Sequence, residues 1–360
     1  MSTLLAPREN AAADVAPAPA RITSLSPNQR AWRRFRRNKL GVVSLVLLAI
    51  LLFVSLFAEV FSNDRPLAAR YDGKWYFPIL SNPPEVTFGG DFATPTEWSD
   101  PMIQEQFAKP GNLAIPTINR WGVNTLDYFA RAADPAKPSA RHWLGTDWAG
   151  RDMTARLLYG FRTSVFFGLA LTVVATILGV AIGALQGYFA GRVDLFWQRI
   201  IEIWNAIPEL YLLLIVATIF TPTLLLLVVL FALFGWIGLS DYVRAEFLRN
   251  RNLEFVRAAR AMGLSNLQIM WRHILPNSLT PVITFLPFRM SAAIVFLTSL
   301  DFLGLGVPGT ASLGELLQQG KDNLDAWWIT IPTFAVLTIL FLLLTFIGDA
   351  LRAAFDTRKS

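Results

Sequence analysis

Apolar residues in this chain come in long blocks instead of the short stripes of a soluble domain. The first, residues 41–61, is interrupted only by Ser44, Ser55 and Glu59 and is long enough to cross a hydrocarbon layer of about 30 Å. Further blocks lie at about 163–187, 195–219, 222–239, 281–305 and 327–348. The pattern predicts an all-α membrane protein with six transmembrane helices. Block 195–219 is the least uniform, with Arg199, Glu202 and Glu209 in or beside it. A charge at the membrane centre costs about 2.5–3.5 kcal/mol on insertion scales, so these groups are expected to face protein or a water-filled path.

The polar stretches divide the rest. Residues 1–29 are rich in Ala, Pro and Ser and read as a disordered part of a basic cytoplasmic tail, 1–40. Arg65 and Pro66, not small residues, follow the first block, so it reads as an uncleaved span. Residues 62–160 hold ten of the 21 prolines, together with Trp75, Trp98, Trp121, Trp143 and Trp148. The prolines forbid long helices; the tryptophans favour a packed small domain, serving either as a cap or as a docking face. Residues 161–352 form the core, 353–360 a short tail.

Charge orients these blocks. Seven basic residues, Arg21, Arg30, Arg33, Arg34, Arg36, Arg37 and Lys39, sit just before the first span, and six lie in 241–280 against only Lys321 in 306–326. The positive-inside rule therefore predicts both termini in the cytoplasm and the Pro/Trp-rich insertion outside. Beside a span, the basic cluster reads as topogenic and no nucleic-acid partner is expected; membrane lipid is the solvent. The chain is 54% hydrophobic and 16% charged, far from the roughly 25% charged content of soluble domains. It has no cysteine and two well-separated histidines, His142 and His273, which argues against a disulfide framework or a metal site. His142 reads as structural.

The segment 241–280 is too charged for a span. Phe255, Ala258, Ala259 and Met262, then Leu267, Met270, Trp271 and Ile274, recur at helical spacing, with Gly263 between the sets and Pro276 after the second. This predicts two short amphipathic helices joined at Gly263 and closed by Pro276. Such a pair can dock in another protein's groove or lie on the membrane surface.

Arg257-Ala258-Ala259, Gly263 and His273-Ile274-Leu275-Pro276 resemble the EAA loop of ABC importer permeases, whose pattern is Glu-Ala-Ala, Gly, then Ile-x-Leu-Pro. Arg257 replaces the glutamate and His273 the isoleucine, so the glutamate's role does not carry over. Leu144-Gly145-Thr146-Asp147 with Gly150-Arg151-Asp152 resembles the pre-span motif of the C-type permeases of peptide and nickel importers. Leu157-Leu158-Tyr159-Gly160, Gly187-Tyr188, Asp194, Arg199, Glu202, Pro208, Phe302-Leu303-Gly304-Leu305-Gly306 and Gly348-Asp349-Ala350-Leu351-Arg352 with Asp356 and Arg358 extend the resemblance over about 143–358. The long insertion is similar to that of the subgroup importing larger peptides such as microcin C.

The resemblance implies a type I permease core, with 241–280 coupling it to separate ATPases. Its expected partners are a second permease in a heterodimer, two ATP-binding subunits or one tandem ATPase, and a periplasmic substrate-binding protein. No Gly-x-x-x-x-Gly-Lys-Ser/Thr phosphate cradle occurs here, so the chain is expected to be no enzyme and to hold no cofactor, ATP and Mg being bound by the partner subunits. Pro208, Pro287 and Pro332 are candidate kinks. Arg289, deep in the fifth block, is expected either to line the path and meet a peptide carboxylate or to pair with Glu202, Glu209 or Asp301. Trp327 and Trp328 read as interface anchors. A secondary transporter would need no such loop, and an anchored adhesion protein would need only one span.

Overall fold

A computed structural model of the chain describes residues 27–128 and 133–356. The tail reading for residues 1–26, Arg21 included, and the position of Arg358 lie outside the described residues. From residue 27 the basic stretch is helical: α1 (Pro27–Arg37) leads through an N-cap at Asn38, whose side chain accepts from the Gly41 amide, into α2 (Lys39–Leu56). After a break at Phe57 the short α3 (Ala58–Phe61) ends the first apolar block.

The insertion is not helical throughout, which corrects the all-α expectation. Three short strands, β1 (Ala68–Tyr71), β2 (Lys74–Tyr76) and β3 (Leu113–Ile115), form an antiparallel sheet in the order β2-β1-β3, and α4 (Pro101–Ala108) packs beside it. Asp100 caps α4 and Pro101 opens it, where a missing N–H costs nothing. Phe88 is fully buried at the centre, ringed by Tyr71, Tyr76, Trp98 and Phe107 at 5.2–5.4 Å. This aromatic knot is a core of its own, which is why a Pro-rich stretch holds one shape.

Beyond the insertion come α5 (Met153–Phe189), α6 (Gly191–Asn205), α7 (Glu209–Ile219), α8 (Leu224–Gly235), α9 (Ile237–Asn250), α10 (Glu254–Ala261), α11 (Asn266–Ile269), α12 (Leu275–Phe302), α13 (Leu313–Asp322) and α14 (Trp327–Phe355). Among the described residues four helical runs are long and apolar enough to cross a membrane: α2, α5, the continuous run 266–302 and α14. A fifth is formed if α8 and α9, bent by 41°, make one crossing. The 195–219 block is broken at Ala206–Pro208 into two helices. Proline cannot donate and disfavours helix in the residue before it, and the 11 residues of α7 rise only about 16 Å.

The first and last described helices meet. Phe35 of α1 packs on Ala350 and Ala354 of α14, Ala31 is buried, and Arg34 donates to the Asp356 carbonyl at 2.9 Å. At Gly41 a β-carbon would sit 2.2 Å from Ala350 Cβ, so only glycine lets α2 approach α14 this closely.

Helix α5 begins at Met153, ten residues before the apolar block, and α9 runs through 241–250, which the charge pattern had assigned to a loop. Gly179, Gly183 and Gly187 of α5 explain the second difference. A β-carbon at Gly183 would lie 2.5 Å from the Ser240 carbonyl, and one at Gly187 2.5 Å from both the Arg244 carbonyl and Phe247 Cβ. This small-residue stripe brings α9 close enough for dispersion contacts along its whole length.

Candidate functional site

The EAA-like segment sits on the end of the α5–α9 pair. Val256 and Ala259 of α10, Ile269 of α11, and Met270, Ile274 and Leu275 are buried against Ala184, Tyr188, Leu239, Val243 and Phe247. Gly263 takes φ +80°, a left-handed turn that side-chain-bearing residues adopt only with strain. Ser265 and Gln268 then close a capping box that starts α11. The Tyr188 hydroxyl donates to Asn266 Oδ1 at 2.7 Å, and Arg251 donates to the Tyr188 carbonyl. Tyr188 thereby holds both sides of the turn.

Pro276 does not close the second helix. Residues Met270–Ile274 form a π-helical turn that carries α11 straight into α12, with Pro276 in the first turn of α12. The wider turn accommodates the proline ring and the missing donor without ending the helix. Ala258 and Ala259 also separate: Ala259 is buried and Ala258 exposed. Arg257 is exposed, and His273 is half-buried. Around this support Phe255, Met262, Leu267 and Trp271 stand exposed, the last three by 64–72%. The segment therefore has one apolar face packed on its own bundle and a second apolar surface uncovered.

Sequence reasoning missed the clamp that holds this end. Arg244 of α9 forms a two-pronged pair with Asp194 of α6, Nε to Oδ1 at 2.6 Å and Nη2 to Oδ2 at 2.7 Å. Asp194 belongs to the family pattern, but its partner lies 50 residues on and no local spacing reveals it.

The pre-span residues build the opposite end. Gly145 and Gly150 both take positive φ; a β-carbon would meet the Ala136 carbonyl at 2.5 Å in one case and Asp134 Oδ2 at 2.6 Å in the other. Thr146 donates to Asp134, and Trp328 donates to the Thr146 carbonyl. Trp328 is buried, so of the two expected interface anchors only Trp327 is exposed. Asp147 accepts from Arg151 Nε at 2.8 Å and lies 3.3 Å from the Nε of Arg156, which is fully buried; Arg156 Nη2 donates to Glu315 of α13 at 2.5 Å. Arg162 pairs with Glu59 at 2.8 Å. Asp152 caps α5 through the Ala155 amide, and its other oxygen is 3.0 Å from His142 Nδ1, while Nε2 lies 3.2 Å from Asp127. Burial alone lowers the His142 pKa, but the hydrogen bonds and charges of Asp152 and Asp127 outweigh it, and the net direction is upward. A cleft of about 900 Å³ opens beside this layer, walled by Phe107, Leu113, Ile118, Trp121 and Trp143.

The four intramembrane charges are not brought together. Arg289 donates to the Gly235 carbonyl, at the bend between α8 and α9, and its buried Nε has no partner. Glu202 pairs with Arg199 at 2.5 Å, and Asp301 accepts from Ser312 Oγ at 2.5 Å. Glu209 stands in the first turn of α7 without an ion pair among the described residues. The expected pairing of Arg289 with one of these carboxylates is thus not formed: a helix bend exposes a main-chain carbonyl that takes the guanidinium instead.

Comparison with known proteins follows the same division. The family described as "Binding-protein-dependent transport system inner membrane component" matches residues 154–360, and "N-terminal TM domain of oligopeptide transport permease C" matches 26–83. The inner membrane ABC transporter permease protein YejE of Escherichia coli K12 is 46% identical over 341 residues, covering 94% of this chain and 100% of that protein. The peptidoglycan transport system permease protein YejE of Agrobacterium fabrum is 44% identical over 357 residues, covering 92% and 93%. The dipeptide transport system permease protein DppC of Lactococcus lactis is 30% identical over 340 residues, covering 94% and 92%.

Proposed function

Because the chain belongs to the inner membrane components of binding-protein-dependent transport systems, the permeases of peptide-importing ABC transporters, we propose that it forms, with a second permease, the path by which peptides cross the inner membrane. Two ATP-binding subunits or one tandem ATPase drive it, and a periplasmic binding protein delivers substrate. Substrates larger than a dipeptide, of the peptidoglycan-peptide or microcin C kind, are the favoured class, in keeping with the long insertion and the name of the Agrobacterium relative. The cleft beside Trp121 and Trp143 is where the binding protein or its cargo meets the insertion.

The observation that carries the reading is the uncovered apolar surface of Phe255, Met262, Leu267 and Trp271. Four large apolar side chains left uncovered on one short segment call for a partner, and helices whose other face is fixed are suited to pass on a partner's movement. In this reading ATP-driven closure of the ATPases displaces α10 and α11 and rocks the bundle, changing substrate affinity between two states. Arg289, with a donor to spare, lines the path and meets the peptide carboxylate.

Six crossings with both termini inside suit the packing. The start of α2 and the end of α14 lie side by side, which supports an even number of crossings. Leu213 of α7 packs with Phe167, in the half of α5 nearer the insertion, whereas Gly191 follows directly on the opposite end of α5. This supports α6 and α7 together as a broken crossing that balances α8–α9 in this reading.

The test is co-purification of the tagged chain in mild detergent, as wild type and as Met262→Asp with Trp271→Asp. An ATP-binding protein and a second permease are expected with the wild type, and loss of the ATPase alone with the variant. If no ATPase accompanies the wild type even after crosslinking, the reading is wrong; if the variant keeps it, the surface has another use.

A further inference from the structure

Helix α1 presents a basic face that the transport reading does not use. Its other side is fixed: Phe35 is buried on Ala350 and Ala354, Ala31 is buried one turn earlier, and Arg34 is held by the Asp356 carbonyl. The i, i+3, i+4 spacing of Arg33, Arg36 and Arg37 then sets these three side chains on the face turned away from α14, and all three are exposed. Lys39, also exposed, opens the first membrane helix. None of these four has a hydrogen-bond or ion-pair partner among the described residues, and no acidic residue occurs from Pro27 to Ala58. Trp32 is 56% exposed at the flank of this face and stacked on Phe35 at 5.7 Å, with 9° between the rings.

We propose that the exposed face of α1, Arg33, Arg36 and Arg37 with Lys39 and Trp32, is a binding surface for the phosphate headgroups of anionic phospholipid in the membrane the chain inhabits. Charge complementarity has to come from outside the chain, because α1 and α2 supply none. Depth points to the bilayer: the four cations fall within two helical turns of the first span, at headgroup level. Guanidinium groups donate to phosphate oxygens through a planar fork. An indole at the same level inserts its apolar body beside the headgroups and leaves its N–H in the polar layer. Docked to the last turn of α14, such a surface holds both ends of the bundle to the bilayer.

The experiment uses the full-length chain purified in neutral detergent, given phosphatidylglycerol, phosphatidylcholine of the same acyl length, or inorganic phosphate. Bound molecules are counted by native mass spectrometry. Wild type is expected to retain phosphatidylglycerol over phosphatidylcholine by roughly tenfold or more, with inorganic phosphate unable to displace it and added salt weakening it. Arg33→Gln with Arg36→Gln and Arg37→Gln should abolish the preference. Because that variant could also insert poorly, the three Arg→Lys replacements, which keep the charge and hence the topogenic signal, should insert normally and retain an intermediate amount. No preference in the wild type, or an unchanged preference in the Gln variant, overturns the proposal. So does a Gln variant that keeps phosphatidylglycerol but loses a co-purifying ATPase, since the face would then be a protein-docking surface.

Discussion

Replacing Gly187 by alanine tests whether the α5–α9 seam positions the EAA-like segment. The new methyl would lie 2.5 Å from the Arg244 carbonyl and 2.5 Å from Phe247 Cβ. Non-bonded carbons rest at about 3.5–4.0 Å, and neither neighbour can rotate away, being main chain in one case and a β-carbon in the other. Helix α9 must therefore retreat by roughly 1 Å, at a cost of about 1–3 kcal/mol for overpacking. The chain contains its own control. Gly238, inside α9, has nothing within 4 Å of where a β-carbon would stand, so Gly238→Ala brings only the helix-propensity gain of up to about 1 kcal/mol. That gain also accompanies Gly187→Ala, and subtracting one variant from the other leaves the steric cost. Equilibrium unfolding in detergent–SDS mixtures, followed by tryptophan fluorescence, should show Gly187→Ala less stable than Gly238→Ala by about 1–3 kcal/mol. Gly183→Ala should behave like Gly187→Ala, and the two together should cost less than their sum, because one retreat of α9 relieves both. Retreat also moves Val243 and Phe247, on which Val256, Ala259 and Ile269 rest, so substrate-stimulated ATP hydrolysis of the assembled transporter should fall in step. Equal stability of Gly187→Ala and Gly238→Ala would refute the reasoning.

Two further outcomes follow from the layer around the start of α5. Arg156→Gln removes the fully buried guanidinium that joins Asp147 to Glu315, leaving Asp147 to Arg151 and Glu315 to Gln319; breaking a buried pair costs about 3–5 kcal/mol when the remaining charge has no other partner, so a smaller drop in the unfolding midpoint is expected here, with earlier proteolysis of the insertion. His142 has its pKa raised in the folded chain, so its stabilisation is fully present below the unfolded value of about 6.5 and is lost as pH rises through the folded value. Stability of the insertion should decline over that range in the wild type and be flatter in His142→Gln, read by protease resistance across pH 5.5–8.5, a span set to bracket about 6.5.

Much of the fold is legible from hydropathy because lipid-facing residues are apolar whatever they pack against: α2, the inner part of α5, and α14 follow from it directly. Gly263 is legible too, since a glycine between two amphipathic stretches marks a turn. The misplaced boundaries share one cause, charge neutralised at long range. The first turns of α5 look polar until Arg156 is matched to Glu315 and Arg162 to Glu59, more than a hundred residues apart in both cases. Helix α9 looks like a loop until Arg244 finds Asp194. Pro276 reads as a stop because the sequence gives no sign of the π turn before it. The sheet in the insertion was hidden for a different reason: strands of three or four residues leave no period to detect.

The uninterrupted passage from α11 through the π turn into α12 makes residues 266–302 one rod of 37 residues, roughly 55 Å long. At one end it carries Leu267 and Trp271; at the other, Asp301 grips Ser312, the cap of α13, whose Glu315 holds Arg156. A rod pivoting near its middle by about 10° swings each tip by roughly 5 Å in opposite directions, taking that length. The π turn, Met270–Ile274, sits close to the tip that carries Trp271, where its wider, less regular hydrogen bonding lets the helix yield. A push delivered at the tip near Trp271 would thus arrive at the Asp301–Ser312 end reversed in direction and softened at the handle.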